Sequence, residues 1–255
     1  VALFNSRNIR RKGPSDLIAA FSTLSDLAVK SGKSIALVMH TDPIDDNGTD
    51  LPAVCRKLYP RINVIFSNQK LTPDMMNYLY NMADVTCQPS TAEGFGLSHM
   101  ESMMAGTPTI ATVVGGLQDQ MGFKIDGREL STNDFTAEVP SNSMGKMSKE
   151  HGEWVYPLWP SPSMQGSPPT PYIYDSRPSV ESITDALKYW YDISKQERIR
   201  RGIAGRDWAI KNNFTTKGMC QAMEVGIDSC FENFKPRERY ELINTNDKQP
   251  DYPTG

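Results

Sequence analysis

Residues 84–101, DVTCQPSTAEGFGLSHME, divide into a short apolar run, a loop of small residues and the opening of a helical pattern. The run DVTCQ is too short for a helix, Gly94 and Gly96 interrupt any regular element, and helix begins at Leu97 or Ser98. A strand that passes through a glycine loop straight into a helix is one unit of a parallel sheet, because parallel neighbours need a crossover and a helix supplies it.

The same unit recurs on both sides of this stretch. VALFN (1–5), SIALVM (34–39), INVIF (62–66) and TPTIAT (107–112) read as further strands, with helices over about 15–29, 51–58 and after Thr72-Pro73. Strands apolar on both faces and separated by helices predict an α/β fold, a Rossmann-like doubly wound parallel sheet with helices on both faces. Leu17, Ile18, Phe21, Leu24 and Leu27 follow helical spacing and are expected in the core.

From Gly122 to about Pro178 the pattern is lost, and YPLWPSPSMQGSPPTPYIY (156–174) is rich in proline, which predicts an irregular insertion. Trp154, Tyr156, Trp159, Tyr172 and Tyr174 fall within it; surface coil is the simpler reading, a wall of a cleft or a partner surface the other. Helices return over 179–193, 196–211 and 215–234. The expected organisation is one domain over 1–234 and a polar tail over 235–255.

Among 255 residues, 38% hydrophobic content is enough for a packed core, and a net charge of −3 gives no field that favours nucleic acid. The basic residues are scattered apart from Arg7, Arg10, Arg11 and Lys12. No apolar run approaches the roughly 18 residues of a membrane span, so none is expected, although peripheral association with a membrane stays compatible. Cys55, Cys87, Cys220 and Cys230 lie far apart with no CxxC, which predicts a reducing, cytoplasmic setting. The chain opens on the strand-like VALF, and the expectation is the second half of a longer protein.

In an open parallel sheet, ligands bind beyond the carboxyl ends of the strands. After the first strand, Arg7 and Lys12 stand five residues apart in a loop before a helix: a planar fork and a point charge that could neutralise a diphosphate without metal, or a solvated basic loop. After the fourth strand, Gly94 and Gly96 permit close backbone approach and the helix start favours an anion. Glu93 could accept hydrogen bonds from sugar hydroxyls. Glu101 could accept a vicinal diol, yet Ser98-His99-Met100-Glu101 also matches a capping box.

Gly115-Gly116, after the fifth strand, reads as a tight turn or a close approach to ligand. No GxGxxG occurs, so a dinucleotide-dependent oxidoreductase has no support. Asp42, Asp45, Asp46 and Asp50 read as a solvated turn rather than a metal site, and the three histidines form no metal cluster. His99 reads as a surface residue or one standing behind the site, with contact to a nucleotide the less favoured alternative.

Taken in order, Arg7 and Lys12, EGFGLSHME (93–101), AGTPTIAT (105–112) and the glycine pair resemble the C-terminal, donor-binding domain of the family 4 retaining glycosyltransferases of GT-B fold. That group includes sucrose, trehalose and mannosyl-lipid synthases and is similar to glycogen synthases. The likeness spans about 1–120, with the helices of 179–234 fitting less specifically. It implies transfer of a hexose from a UDP- or GDP-sugar, with retention, to an acceptor hydroxyl in carbohydrate biosynthesis, with no cofactor and no metal.

The resemblance also implies roles. Arg7 and Lys12 would hold the diphosphate and, with Glu93 at the sugar ring, form the catalytic set. Gly94 and the backbone of Phe95, Gly96 and Leu97 would meet sugar and phosphate, Glu101 the ribose, and Gly115-Gly116 the cleft floor. Base contacts would come from FSNQKLTP (66–73), with Asn68, Gln69 and Lys70. Ser6 replaces a usual glycine and Asp119 a common glutamate. The acceptor would be held largely by an N-terminal domain or a partner chain; the rival readings are a non-catalytic nucleotide-sugar module and, less favoured, a nucleotide-sugar epimerase.

Overall fold

The first strand, β1 (Ala2–Asn5), is buried except for the half-buried Asn5, and its neighbours on both sides run parallel to it. In this computed structural model, which describes residues 1–130, 134 and 150–237, the remaining strands of the main sheet are β2 (Leu37–His40), β3 (Val64–Ser67), β4 (Val85–Gln88), β5 (Thr109–Thr112) and β8 (Val155–Leu158). Their order is β3-β2-β1-β4-β5-β8 and every pair is parallel. The fold class is the one expected.

The helices between them are α1 (Pro14–Lys30), α2 (Leu51–Leu58), α3 (Pro73–Met82), α4 (Leu97–Met104) and the single turn α5 (Gly115–Gln118). After β8 come α6 (Val180–Asp192) and α7 (Lys195–Lys211). Their starts follow local chemistry: Pro14 opens α1, and Asp50 and Thr72 accept from Ala53 N and Met75 N at the starts of α2 and α3. Residues Val1–Phe214 form one compact unit; Thr215–Gly255 form another, whose helix α8 (Thr216–Asn233) is capped by the Thr215 hydroxyl. Of the expected tail, 238–255 lies outside the described residues.

Of three apolar clusters packed on the sheet among the described residues, the smallest joins Leu3, Val38 and Tyr80 and two are larger. One joins Phe4, Leu17, Ile18, Phe21, Met39, Ile110 and Trp190, so α1 and α6 cover a common face. The other joins Met103, Val113, Leu117, Met121 and Trp154, closed by Ala209 of α7. Leu27, expected in the core, is 37% exposed, because it lies at the edge of the buried stripe formed by the other four.

The expected irregular stretch 122–178 needs correction, although 131–133 and 135–149 lie outside the described residues. It contains β6 (Lys124–Ile125) and β7 (Arg128–Glu129), the sixth strand of the main sheet, and an antiparallel ribbon of β9 (Ser161–Ser167) with β10 (Thr170–Arg177). Proline is tolerated because β8 is an edge strand, where Pro157 faces Ala111 of β5 and has no further neighbour, and Pro168-Pro169 form the turn of the ribbon.

The aromatic residues of this stretch divide in the same way. Trp154 is core, clasped by Gly152 and Gly205, where an added Cβ would come within 2.3 and 2.6 Å of the indole. Trp159 meets Phe123 at 5.6 Å between ring centroids, and Tyr172 is exposed. The side chain of Tyr174 lies outside those described.

Candidate functional site

The loops after β1 and β4 meet beyond the carboxyl ends of those strands. A short 3-10 turn, Arg10–Lys12, follows β1, and Gly13 then adopts φ 64°, with α1 beginning at Pro14. The left-handed glycine lets this loop press on the next one: a Cβ there would lie 2.7 Å from Pro89 O. Thr91 N donates to Arg11 O at 2.7 Å and fastens the two loops.

This contact brings Lys12 to Glu93, 81 positions away. Lys12 Nζ donates to both carboxylate oxygens, at 2.6 and 2.5 Å, and the two side chains are only 10% and 11% exposed. Arg11 donates to Glu93 Oε2 at 2.9 Å and to Ala92 O at 2.8 Å. Glu93 therefore stands between two cations, one of which the sequence reading left without a role.

Arg7 does not join that cluster. Its guanidinium holds Asp45 through Nε at 2.8 Å and a second N–H at 3.2 Å, which raises the Arg7 pKa and lowers that of Asp45. Asp45 also accepts from Asn47 N at 2.9 Å, so it is fixed by its own turn. The acidic loop is thus an anchor for Arg7 and, through Asp50, a helix cap. Among the described residues, no group of three or more His, Cys, Asp or Glu could hold a metal ion.

At the other end of the stretch, the capping-box reading fails. The residue that caps α4 is Gly96 at φ 88°, so Ser98 already lies within the first turn and receives a hydrogen bond from the Gln88 amide. Glu101 is free of the helix backbone and accepts from the Tyr80 hydroxyl at 2.6 Å, while that hydroxyl accepts from Asn5 Nδ2 at 2.6 Å. Burial, then the bond to Glu101, raises the Tyr80 pKa and keeps it a donor. Glu101, Tyr80, Met76, Asn77 and Pro73 line a cleft of about 440 Å³ between α3 and α4. Of the loop expected to read a base, Leu71 and Pro73 reach this cleft, whereas Asn68, Gln69 and Lys70 are not among its lining.

The glycines serve the loop's path more than its surface. A Cβ at Gly115 (φ 47°) would lie 1.9 Å from Glu93 O, and one at Gly116 would lie 2.3 Å from Gly94 O. The pair thus supports the backbone of 93–95 from behind, where a cleft floor was expected. Gly94 itself faces open space, and the side chains of Phe95 and Leu97 are exposed.

His99 is fully buried and so is no surface residue. Its Nδ1 lies 2.8 Å from Gln120 Oε1, and Gln120 Nε2 donates to Phe95 O at 2.5 Å and Gly116 O at 3.3 Å. With the amide nitrogen committed to two carbonyls, its oxygen is the acceptor, which assigns the proton to Nδ1. Burial pushes the imidazole pKa down to about 4, so it is neutral near pH 7.

Arg11, Tyr80 and Gln120 were not singled out as site residues. Each acts through a partner 21 or more positions away, and only Arg11, inside the basic cluster, carried a local signal.

Comparison with known proteins supports the fold. The D-inositol 3-phosphate glycosyltransferase of Salinispora arenicola is 32% identical over 137 residues, which cover 51% of this chain and 30% of that protein. The C-terminal domain of a glycosyl transferase group 1 family protein from Francisella tularensis superimposes with a TM-score of 0.51 at 17% identity, over 82% of this chain and 84% of that one. Anabaena HepE, solved in complex with UDP and glucose, gives a TM-score of 0.59 at 16% identity, over 89% of this chain and 48% of that one. The matched stretch thus amounts to about a third of the curated relative's length and about half of the Anabaena chain. The model of the glycosyl transferases group 1 family matches residues 1–134, slightly more than half of the chain, and the chain belongs to that family.

Proposed function

We propose that the chain is the donor-binding part of a retaining, metal-independent glycosyltransferase that moves a hexose from a UDP- or GDP-sugar to an acceptor hydroxyl. The observation that carries this reading is the meeting of Lys12 and Glu93 at the carboxyl edge of the sheet, beside the start of α4. In the proposed complex the nucleoside occupies the cleft between α3 and α4, with its ribose diol on Glu101. The diphosphate lies toward Lys12, Arg7 and the amide groups that open α4, and the hexose ring faces Glu93.

During transfer the bond from the anomeric carbon to the phosphate oxygen breaks and a bond to the acceptor oxygen forms. The acceptor hydroxyl gives its proton to the departing phosphate oxygen, and the nucleoside diphosphate leaves. Lys12 and Arg7 stabilise the charge that grows on the leaving phosphate, a preorganised electrostatic contribution. A reducing, cytoplasmic setting fits the four unpaired cysteines. An N-terminal domain or a partner chain completes the acceptor side.

The second reading, a nucleotide-sugar module without transfer of its own, is favoured by the limited share of its relatives that the chain matches. Calorimetry with UDP-, GDP- and ADP-sugars tests the proposal. One nucleotide should bind, and Lys12→Ala or Arg7→Ala should weaken it about ten- to a hundredfold, as for loss of a charge-assisted bond. Unchanged affinity in both variants would overturn the assignment. Slow release of free hexose from the bound donor would separate an enzyme from a binding module.

A further inference from the structure

Behind the 93–97 loop stands one side chain, Gln120, all of whose polar atoms are engaged. Its Nε2 carries two hydrogens and meets two carbonyls, Phe95 O at 2.5 Å and Gly116 O at 3.3 Å, while Oε1 lies 2.8 Å from His99 Nδ1. The backbone of Gln120 is held as well: its N–H donates to Leu117 O at 3.2 Å and its carbonyl accepts from Trp154 Nε1 at 3.1 Å. Gln120 and His99 are both fully buried, so these bonds are not shared with solvent.

Three successive carbonyls of the loop face the segment that ends in Gln120. Glu93 O accepts from Gly116 N at 3.2 Å, Gly94 O lies so close to Gly116 that an added Cβ would be 2.3 Å from it, and Phe95 O is taken by Gln120. A trans peptide points its N–H opposite to its C=O, and the described residues contain no cis bond. The N–H groups of Gly94, Phe95 and Gly96 are therefore turned away from segment 115–120. Among the described residues none of the three meets a backbone acceptor, and the first turn of α4, with no side-chain cap, continues the row.

The last of these peptides is the one free to turn. Reversing the peptide between Phe95 and Gly96 changes ψ of the first and φ of the second, and a glycine tolerates either sign of φ. The bond from Gln120 to Phe95 O is what selects one orientation. His99 in turn selects the orientation of the amide: a reversed amide would set Oε1 against two carbonyls. His99 Nε2 has no partner among the described residues, so the bond to Gln120 is the one polar contact its ring makes there.

We propose that Gln120 is a positioning residue for the donor, holding the Phe95–Gly96 peptide with its N–H toward the diphosphate, and that His99 locks the Gln120 amide in the orientation this requires. The inference rests on the donor reading above and adds to it two residues that touch no substrate. Donors fixed in advance by packing and by bonds behind them need no reorganisation when an anion arrives.

The test is an NMR titration of this chain with uridine, guanosine, UDP and GDP. In Gln120→Met, affinity for the nucleoside diphosphate that binds should fall about tenfold, as for loss of one hydrogen bond, while affinity for its nucleoside stays within about twofold. His99→Leu should act in the same direction, and His99→Asn, which places an N–H near the position of Nδ1, should restore most of the loss. Circular dichroism checks that each variant is folded, and the retained nucleoside affinity checks that the cleft of Glu101 is intact. Equal losses for nucleoside and diphosphate would reduce Gln120 to a structural residue and overturn the proposal, as would unchanged diphosphate affinity in Gln120→Met. If the wild-type chain binds no nucleotide at all, the donor reading fails, and backbone order parameters decide the rest. Values for residues 94–97, about 0.85 in rigid backbone, should drop below about 0.6 in Gln120→Met, and no drop would overturn the positioning role.

Discussion

The Tyr80 hydroxyl donates to Glu101 at 2.6 Å and accepts a hydrogen bond from Asn5 Nδ2 at the same distance, so one phenol links β1, α3 and α4. Glu101 is exposed although its neighbours in α4 are buried, and without this bond its carboxylate would sample several rotamers. Tyr80→Phe keeps the ring in its buried place and removes only the hydroxyl. Nucleotide affinity is expected to fall about tenfold, and stability by about 1 kcal/mol, as for loss of one hydrogen bond. Calorimetry and urea unfolding of the same variant read the two effects separately.

Lys12 and Glu93 form a largely buried pair, which makes either one a hazard without the other. Glu93→Gln is expected to cost about 2–4 kcal/mol, since it strands the Lys12 ammonium away from water, and Lys12→Met less, since Arg11 still neutralises Glu93. The double variant should cost less than the sum of the two. A double-mutant cycle by urea denaturation reports that coupling, and strict additivity would show that the pair contributes nothing.

Gly115 and Gly94 are expected to respond oppositely to the same change. Gly115→Ala demands a side chain at φ 47° and 1.9 Å from Glu93 O, so the loop must move, at about 2 kcal/mol or more. Gly94→Ala meets nothing within 4 Å and should alter stability by less than about 0.5 kcal/mol. Thermal melts of the two variants side by side give the comparison.

His99 makes stability depend on pH in a predictable direction. Its folded pKa, about 4, is below the unfolded value near 6.5, so between these limits the unfolded chain binds the extra proton. The contribution is complete above pH 6.5 and is lost as pH falls toward 4, a change of about 3 kcal/mol. Urea unfolding from pH 4 to 7 should show stability rising with pH, and His99→Met should flatten that slope while lowering stability near pH 7.

The parallel sheet was legible because short β-rich runs and helical patterns alternate with little ambiguity, and Lys12 and Glu93 were each legible as site candidates in loops after adjacent parallel strands, although their direct contact was not foreseen. Arg7 was legible as a ligand candidate but not as the partner of Asp45, which depends on the turn taken at Asn47-Gly48. The capping box at Ser98 was a sound local pattern that the left-handed conformation of Gly96 displaced by two residues. In the proline-rich stretch, the error lay in treating proline as incompatible with any strand: an edge position and a two-stranded ribbon leave backbone N–H groups that need no partner, and there proline removes nothing.

The Lys12–Glu93 contact gives each of these side chains a counter-ion within the chain itself. A lone chloride or sulfate approaching Lys12 must compete with a carboxylate already at hydrogen-bond distance from the ammonium, and it brings nothing to offer Glu93 in return. A molecule carrying phosphate and hydroxyl groups together can satisfy both partners at once. On the proposed donor reading, the pair would therefore discriminate against simple anions, and occupancy would depend on recognising two chemical groups at the same time.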